Sequence, residues 1–150
     1  MTFRGWHKVS YIEYPGNIAT VLFVAGCNFR CPFCHNPELV LQRDDLPYIE
    51  EEEVLAYLAQ RRGLLDAVCI TGGEPLIYAR ECRLFLEKVK KLGYLVKVDT
   101  NGSFFEALLD LWDYVDLWGI DFKVPLGEYH LVGGKPWEES VRKVLERVLA

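Results

Sequence analysis

No basic run occurs in this chain: 17 Lys and Arg are outnumbered by 22 Asp and Glu, a formal charge of −5 over 150 residues. Nucleic-acid binders concentrate Lys and Arg on one surface, so DNA and RNA are not expected as partners. Also missing is any apolar stretch approaching the roughly 20 residues that span a bilayer. The start, Met1-Thr2-Phe3-Arg4-Gly5-Trp6-His7, lacks the apolar core of a secretion signal. A soluble, cytoplasmic protein with no membrane partner is therefore expected. No low-complexity segment or linker divides the chain, so residues 1–150 are expected as one domain, with 51% hydrophobic residues to fill a single core. Cysteine is scarce, five residues in all, and an intracellular setting argues against a disulfide framework.

Three of those five stand together. Cys27-Asn28-Phe29-Arg30-Cys31-Pro32-Phe33-Cys34 has the spacing C-x3-C-x2-C, which points to metal or redox chemistry. Iron–sulfur clusters usually take four cysteines, so three would leave one iron open to a substrate or cofactor. The alternatives are a structural zinc site with His35 as fourth ligand, or reduced thiols grouped by chance. A zinc knuckle normally closes its tetrahedron with a pair from a distant hairpin, and here His7 and His130 stand alone. Cys69 and Cys82 are isolated and are expected to be packed.

The apolar pattern alternates strand and helix. Ile18 to Ala25 is a continuous β-branched run, as in a strand buried on both faces, and the cysteine loop follows it directly. Glu50 to Arg62 opens with four acidic residues suited to a helix N-terminus and aligns Val54, Leu55 and Leu58 before Gly63. Strands are predicted over Asp66–Thr71, Tyr94–Asp99 and Tyr114–Asp121, with helices over Arg80–Leu92, from an N-cap at Ser103 to Trp112, and over Trp137–Leu149. Val124 to Lys135 reads as loop. Strands alternating with helices imply parallel pairing, so the class is α/β, with about four βα units forming an open sheet or a partial, incomplete TIM-type barrel.

Each predicted strand ends on residues with chemistry. The first delivers Cys27, Cys31 and Cys34, the second Gly72, Gly73 and Glu74, the third Asp99, Thr100 and Asn101, the fourth Asp121 and Lys123. In βα barrels that end is the active-site face. Taken singly, the glycines could be turn residues, the aspartates caps and Lys123 a solvated surface residue. Without Cβ atoms, however, backbone at Gly72 and Gly73 could approach a ligand closely and offer carbonyls to an ammonium group, with Glu74 adding negative charge.

The cysteine spacing together with Gly72-Gly73-Glu74-Pro75 resembles the radical S-adenosylmethionine enzymes. The resemblance implies that Cys27, Cys31 and Cys34 hold a [4Fe-4S] cluster whose open iron is chelated by the methionine moiety of S-adenosylmethionine. An electron from the cluster would cleave the sulfonium C–S bond and produce a 5′-deoxyadenosyl radical that abstracts hydrogen. Phe33 would border adenine, and Gly72, Gly73 and Glu74 would receive the methionine amino group. Within the family, Cys34-His35-Asn36-Pro37-Glu38, Asp99-Thr100-Asn101-Gly102 and Asp121-Phe122-Lys123 are similar to the activating enzymes of glycyl radical enzymes, a likeness spanning about residues 10 to 134. It implies a glycyl radical enzyme as partner and a low-potential electron donor such as flavodoxin or ferredoxin. It also implies that Asp99, Thr100 and Asp121 help bind a monovalent cation, while Lys123 contacts the cofactor.

Two residues of the leading segment 1–17 and its junction depart from that pattern: Glu13 stands where Asp is usual, and Ile18 where pyruvate formate-lyase activators carry Arg. The second favours the branch that activates anaerobic ribonucleotide reductase. Members of that branch commonly continue with two more βα units, so this chain is a short form or a truncated one, with its pocket expected to be open on one side. The rival expectations are radical chemistry on a small molecule or peptide, and a non-catalytic zinc module.

Overall fold

The computed structural model describes residues 1–150 and forms a five-stranded sheet with helices packed on one face. In chain order the elements are β1 (Thr2–Phe3), β2 (Gly5–Tyr14), β3 (Asn17–Val24), α1 (Pro37–Val40), β4 (Ile49–Glu50), α2 (Glu51–Gln60), β5 (Ala67–Gly72), α3 (Ala79–Lys91), β6 (Leu95–Thr100), α4 (Phe105–Leu111), β7 (Leu117–Ile120) and α5 (Glu138–Leu149). The sheet order is β2-β3-β5-β6-β7, antiparallel between β2 and β3 and parallel thereafter. It is open, with β2 and β7 as its edges. A separate two-stranded ladder joins β1 to β4.

β3 and β5 are apolar on both faces because both are covered, whereas β6 is buried on its helix face and turns Lys97 and Asp99 to the other. Leu22, Val24, Val68, Ile70, Val96 and Val98 join the main core with the helices. Ala19, Val21, Ala67 and Cys69 point the other way and are buried under Tyr14. On α3, Cys82, Phe85, Leu86 and Val89 recur at helical spacing and are all buried, Phe85 meeting Phe3 edge-on at 5.1 Å. On α2, Val54 and Leu58 are buried, while Leu55 is only partly so. Its first-turn Glu51 carboxylate accepts from the Met1 ammonium at 2.6 Å and from Lys88 of α3, tying the chain start to two helices. No helix is long and apolar enough to cross a membrane.

Three elements differ from the sequence pattern. Residues 5–14 form a ten-residue strand, turned onto β3 through Pro15 and Gly16, the latter at φ +74°. Two register shifts interrupt its pairing, so its side chains do not alternate regularly and the period-2 signal is lost. Ser103 caps no helix. Its hydroxyl accepts from Asn28 Nδ2 at 2.9 Å and its N–H donates to Asn101 Oδ1 at 3.0 Å, leaving α4 to begin at Phe105. The fourth βα strand covers only Leu117–Ile120, after a 3-10 turn at Trp112–Tyr114. Asp116 sets where it begins: its carboxylate accepts from Val96 N–H and Lys90, while its own N–H donates to Val96 O at 2.9 Å.

Candidate active site

Cys27, Cys31 and Cys34 lie on the loop after β3, all half-buried and unpaired. They line one pocket of about 330 Å³ whose walls also include Phe33, Gly72, Gly73, Asp99, Thr100, Asp121 and Lys123. Four strand ends thus meet at one rim. Burial is the main cause that raises the Cys27 and Cys31 thiols above their ordinary range, and Lys123 pulls Cys31 the other way. Cys69 and Cys82 are fully buried in the body of the fold, and burial pushes both thiols up to about 12.

The cysteine loop is held from below and from the side. Asn101 Nδ2 donates to Asn28 Oδ1 at 3.1 Å and lies 3.7 Å from Cys27 Sγ, and the Phe29 N–H points at the same sulfur at 3.4 Å. Arg30 N–H donates to Val132 O at 2.8 Å. Phe29 packs edge-on against Tyr129 at 5.8 Å in a small separate core with Val132 and Val141. The segment read as plain loop therefore contains a 3-10 turn, Tyr129–Val132, that buttresses the cysteines. Asn28, Phe29 and Tyr129 are site-building residues that sequence reasoning left out, and Asn101, which it placed at the end of the third strand, turns out to hold the cysteine loop. The pairing of two asparagines across 73 residues leaves no local trace.

Gly72 and Gly73 are demanded by a close approach of backbone to backbone. A Cβ on Gly73 would lie 1.9 Å from Gly26 O, and one on Gly72 would lie 2.4 Å from Val24 O. Gly73 N–H donates to Val24 O and Glu74 N–H to Gly26 O, both at 2.8 Å, so the turn after β5 clamps the start of the cysteine loop. The glycines also face the pocket.

Glu74 lies behind the pocket wall, between β5 and β6. It is 0% exposed and absent from the pocket wall, and its carboxylate accepts from Leu76 N–H at 2.9 Å, Thr100 Oγ1 at 2.7 Å and Asn101 N–H at 2.7 Å. Burial pushes its carboxyl up to about 7, against the pull of those three donors. Its geometry is that of a brace across β5 and β6.

The three acidic or hydroxyl groups at the ends of β6 and β7 all have protein partners. Asp99 Oδ1 accepts from Lys97 Nζ at 2.9 Å. The Thr100 hydroxyl donates to Glu74 and accepts from Gly102 N–H at 3.2 Å. Asp121 Oδ2 accepts from Lys123 Nζ at 2.8 Å; burial works against the Lys123 charge, but Asp121 outweighs it and raises the ammonium's pKa.

Several known proteins are similar to this chain. A protein of Methanocaldococcus jannaschii, provisionally named as a glycyl-radical enzyme activating enzyme, is 32% identical over 125 residues, covering 81% of this chain and 50% of its own length. A 7-carboxy-7-deazaguanine synthase of Hyperthermus butylicus is 29% identical, covering 90% of this chain and 64% of its own. This chain thus spans about half to two thirds of these relatives' length. The crystal structure of QueE from Escherichia coli superposes with a TM-score of 0.55 over 68% of this chain and 52% of that one, at 19% identity, a likeness of fold. The family model of the radical SAM superfamily matches residues 21–150, from the middle of β3 through α5 and across every strand end that lines the pocket; the chain belongs to that superfamily.

Proposed function

We propose that the chain is an activating enzyme: it binds a [4Fe-4S] cluster through Cys27, Cys31 and Cys34, binds S-adenosylmethionine beside it, and generates a glycyl radical on a partner enzyme, an anaerobic ribonucleotide reductase. The observation that carries this is the meeting of three thiols with Gly72, Gly73, Asp99, Asp121 and Lys123 in one pocket. The donor set fits the cluster. Three half-buried thiols share one loop and one pocket, no fourth cysteine lines it, and the remaining wall is polar enough for a charged ligand. When bound and reduced by a flavodoxin- or ferredoxin-like donor, the cluster supplies the electron that cleaves the sulfonium C–S bond.

The chain's own residues hold and orient. Because the Glu74 carboxylate is committed to β6, the methionine ammonium is left to the Gly72-Gly73 backbone and to Asp99, which do line the pocket. Phe33, 52% exposed, offers its ring at the mouth for adenine. Lys123 brings a positive charge that opposes the rise burial imposes on the Cys31 thiol, and is steadied by Asp121. Phe29, packed on Tyr129, closes the apolar side against water.

The test is anaerobic reconstitution with iron and sulfide, reduction in the presence of S-adenosylmethionine, and chromatography for 5′-deoxyadenosine. Intact reconstituted protein that releases none would overturn the radical chemistry, as would a colourless anaerobic isolate holding zinc and no iron. A second reading, radical chemistry on a small molecule, draws support from the deazaguanine synthase relative that aligns over 90% of the chain. Electron paramagnetic resonance separates the two: activation leaves a glycine-centred doublet on the partner enzyme, and small-molecule turnover leaves none.

A further inference from the structure

Asp99 lines the pocket, but the residue that engages it lies behind the wall. Lys97 precedes it by two on β6, so both project to the face of the sheet away from the helices. The Lys97 side chain is 15% exposed and does not line the pocket, and its ammonium sits 2.9 Å from Asp99 Oδ1 and 4.0 Å from Glu13 Oε2. Glu13 arrives from the far end of β2.

Space for this pair is provided by β7. Gly119 is the ladder partner of Asp99, and a Cβ there would fall 2.0 Å from Asp99 Oδ1 and 3.5 Å from Lys97 Cε. A side chain at 119 would displace the carboxylate from its lysine. Meanwhile the other two groups that resemblance assigns to a monovalent cation are committed: Thr100 donates to Glu74, and Asp121 holds Lys123. The donor set does not fit a free ion. Asp99 keeps one free oxygen, which can accept a single bond from a ligand's ammonium but is too few donors for a bare metal ion, which takes several oxygen ligands.

We propose that Lys97 is a built-in cation: anchored between Asp99 and Glu13 behind the pocket wall, its ammonium takes the place of a monovalent metal ion, so that ligand binding in this pocket does not depend on sodium or potassium. This rests on the reading that the pocket binds S-adenosylmethionine. Lysine suits the role as a compact point charge on a flexible stem. Being part of the chain, it is present at a fixed effective concentration and need not be recruited from solution. As a positioning residue it holds Asp99 by one oxygen and leaves the other for the ligand's ammonium. It also separates two carboxylates, Asp99 and Glu13, that would otherwise face each other across the same space.

The experiment measures S-adenosylmethionine affinity by equilibrium dialysis in sodium, potassium or tetramethylammonium chloride at equal ionic strength, on the wild type, Lys97→Met and Lys97→Arg. Wild-type affinity is expected to agree within about twofold across the salts, whereas Lys97→Met loses about tenfold or more in tetramethylammonium and regains affinity in potassium. Lys97→Arg, which keeps the charge, is expected to stay salt-independent and guards against misfolding of the methionine variant. A wild type that needs sodium or potassium, or a Lys97→Met that binds equally well in tetramethylammonium, overturns the proposal. Thallium(I) titration by NMR without S-adenosylmethionine provides a reading independent of the cofactor. No saturable site is expected in the wild type and one is expected in Lys97→Met; a wild-type site abolished by Asp99→Asn would overturn the built-in cation. If no salt supports S-adenosylmethionine binding, the function proposed above fails, and the thallium comparison still decides the role of Lys97.

Discussion

The body of the sheet and the rim at its strand ends are made by the same strands, yet they are built on opposite principles. In the body, apolar side chains alternate onto two covered faces, and Val68, Ile70, Val96 and Val98 are all 0% exposed. At the rim the buried groups are polar: Glu74, Thr100, Asn101 and Ser103 are each under 5% exposed and bonded to one another or to the cysteine loop. The body tolerates any packing of the right volume; the rim tolerates only a complete network, since each buried donor or acceptor left alone is costly. The difference teaches where to expect stability to be set and where chemistry.

Replacing Cys27 by Ala gives the sharpest contrast. It is expected to abolish formation of 5′-deoxyadenosine while the unfolding free energy in urea changes by no more than about 1 kcal/mol. Phe85→Ala, in the body, is expected to cost about 3–5 kcal/mol in the same urea experiment, with cleavage per folded molecule retained. Loss of chemistry without loss of stability in Phe85→Ala would break the comparison.

Glu74 belongs to both regions and is read by pH. Its carboxyl is raised from 4.5 to about 7 on folding, so between those values the unfolded chain has released a proton that the folded chain keeps. Its contribution is therefore full below pH 4.5 and is lost as pH rises through about 7, a change of about 3 kcal/mol. Wild-type stability measured against Glu74→Gln across that range should show this fall, and a flat difference would remove Glu74 from the account. The smallest effect is expected from Cys69→Ala, about 1 kcal/mol, with iron content after reconstitution unchanged. Loss of iron there would make Cys69 part of the rim.

The body was legible because its signals are local. The helical spacing of Cys82, Phe85, Leu86 and Val89 and the unbroken run of β3 each announce burial within a dozen residues, and the βα alternation follows. The α/β class and the convergence of four strand ends were legible for the same reason. The rim was legible in its residue types and not in its partnerships. Glu74 stood out in sequence, but its acceptor role depends on Thr100 and Asn101, 26 and 27 residues away. Ser103 carried an N-cap signature and was drawn instead to Asn28, 75 residues away. The ten-residue β2 was hidden by its register shifts, which leave Val9, Tyr11 and Ile12 exposed where a regular edge strand would alternate.

The small core of Phe29, Tyr129, Val132 and Val141 has a consequence for how the thiols are reached. It is a cluster separate from the main one, and the backbone bond from Arg30 N–H to Val132 O joins the cysteine loop to it. Such a unit opens at a lower free energy than the sheet beneath, so the Arg30 amide should exchange its hydrogen by a local excursion, while those of Ile70 and Val98 wait for global unfolding. Faster exchange at Arg30 than at Ile70 and Val98 is the expected sign that the cysteine loop opens on its own while the parallel sheet stays folded.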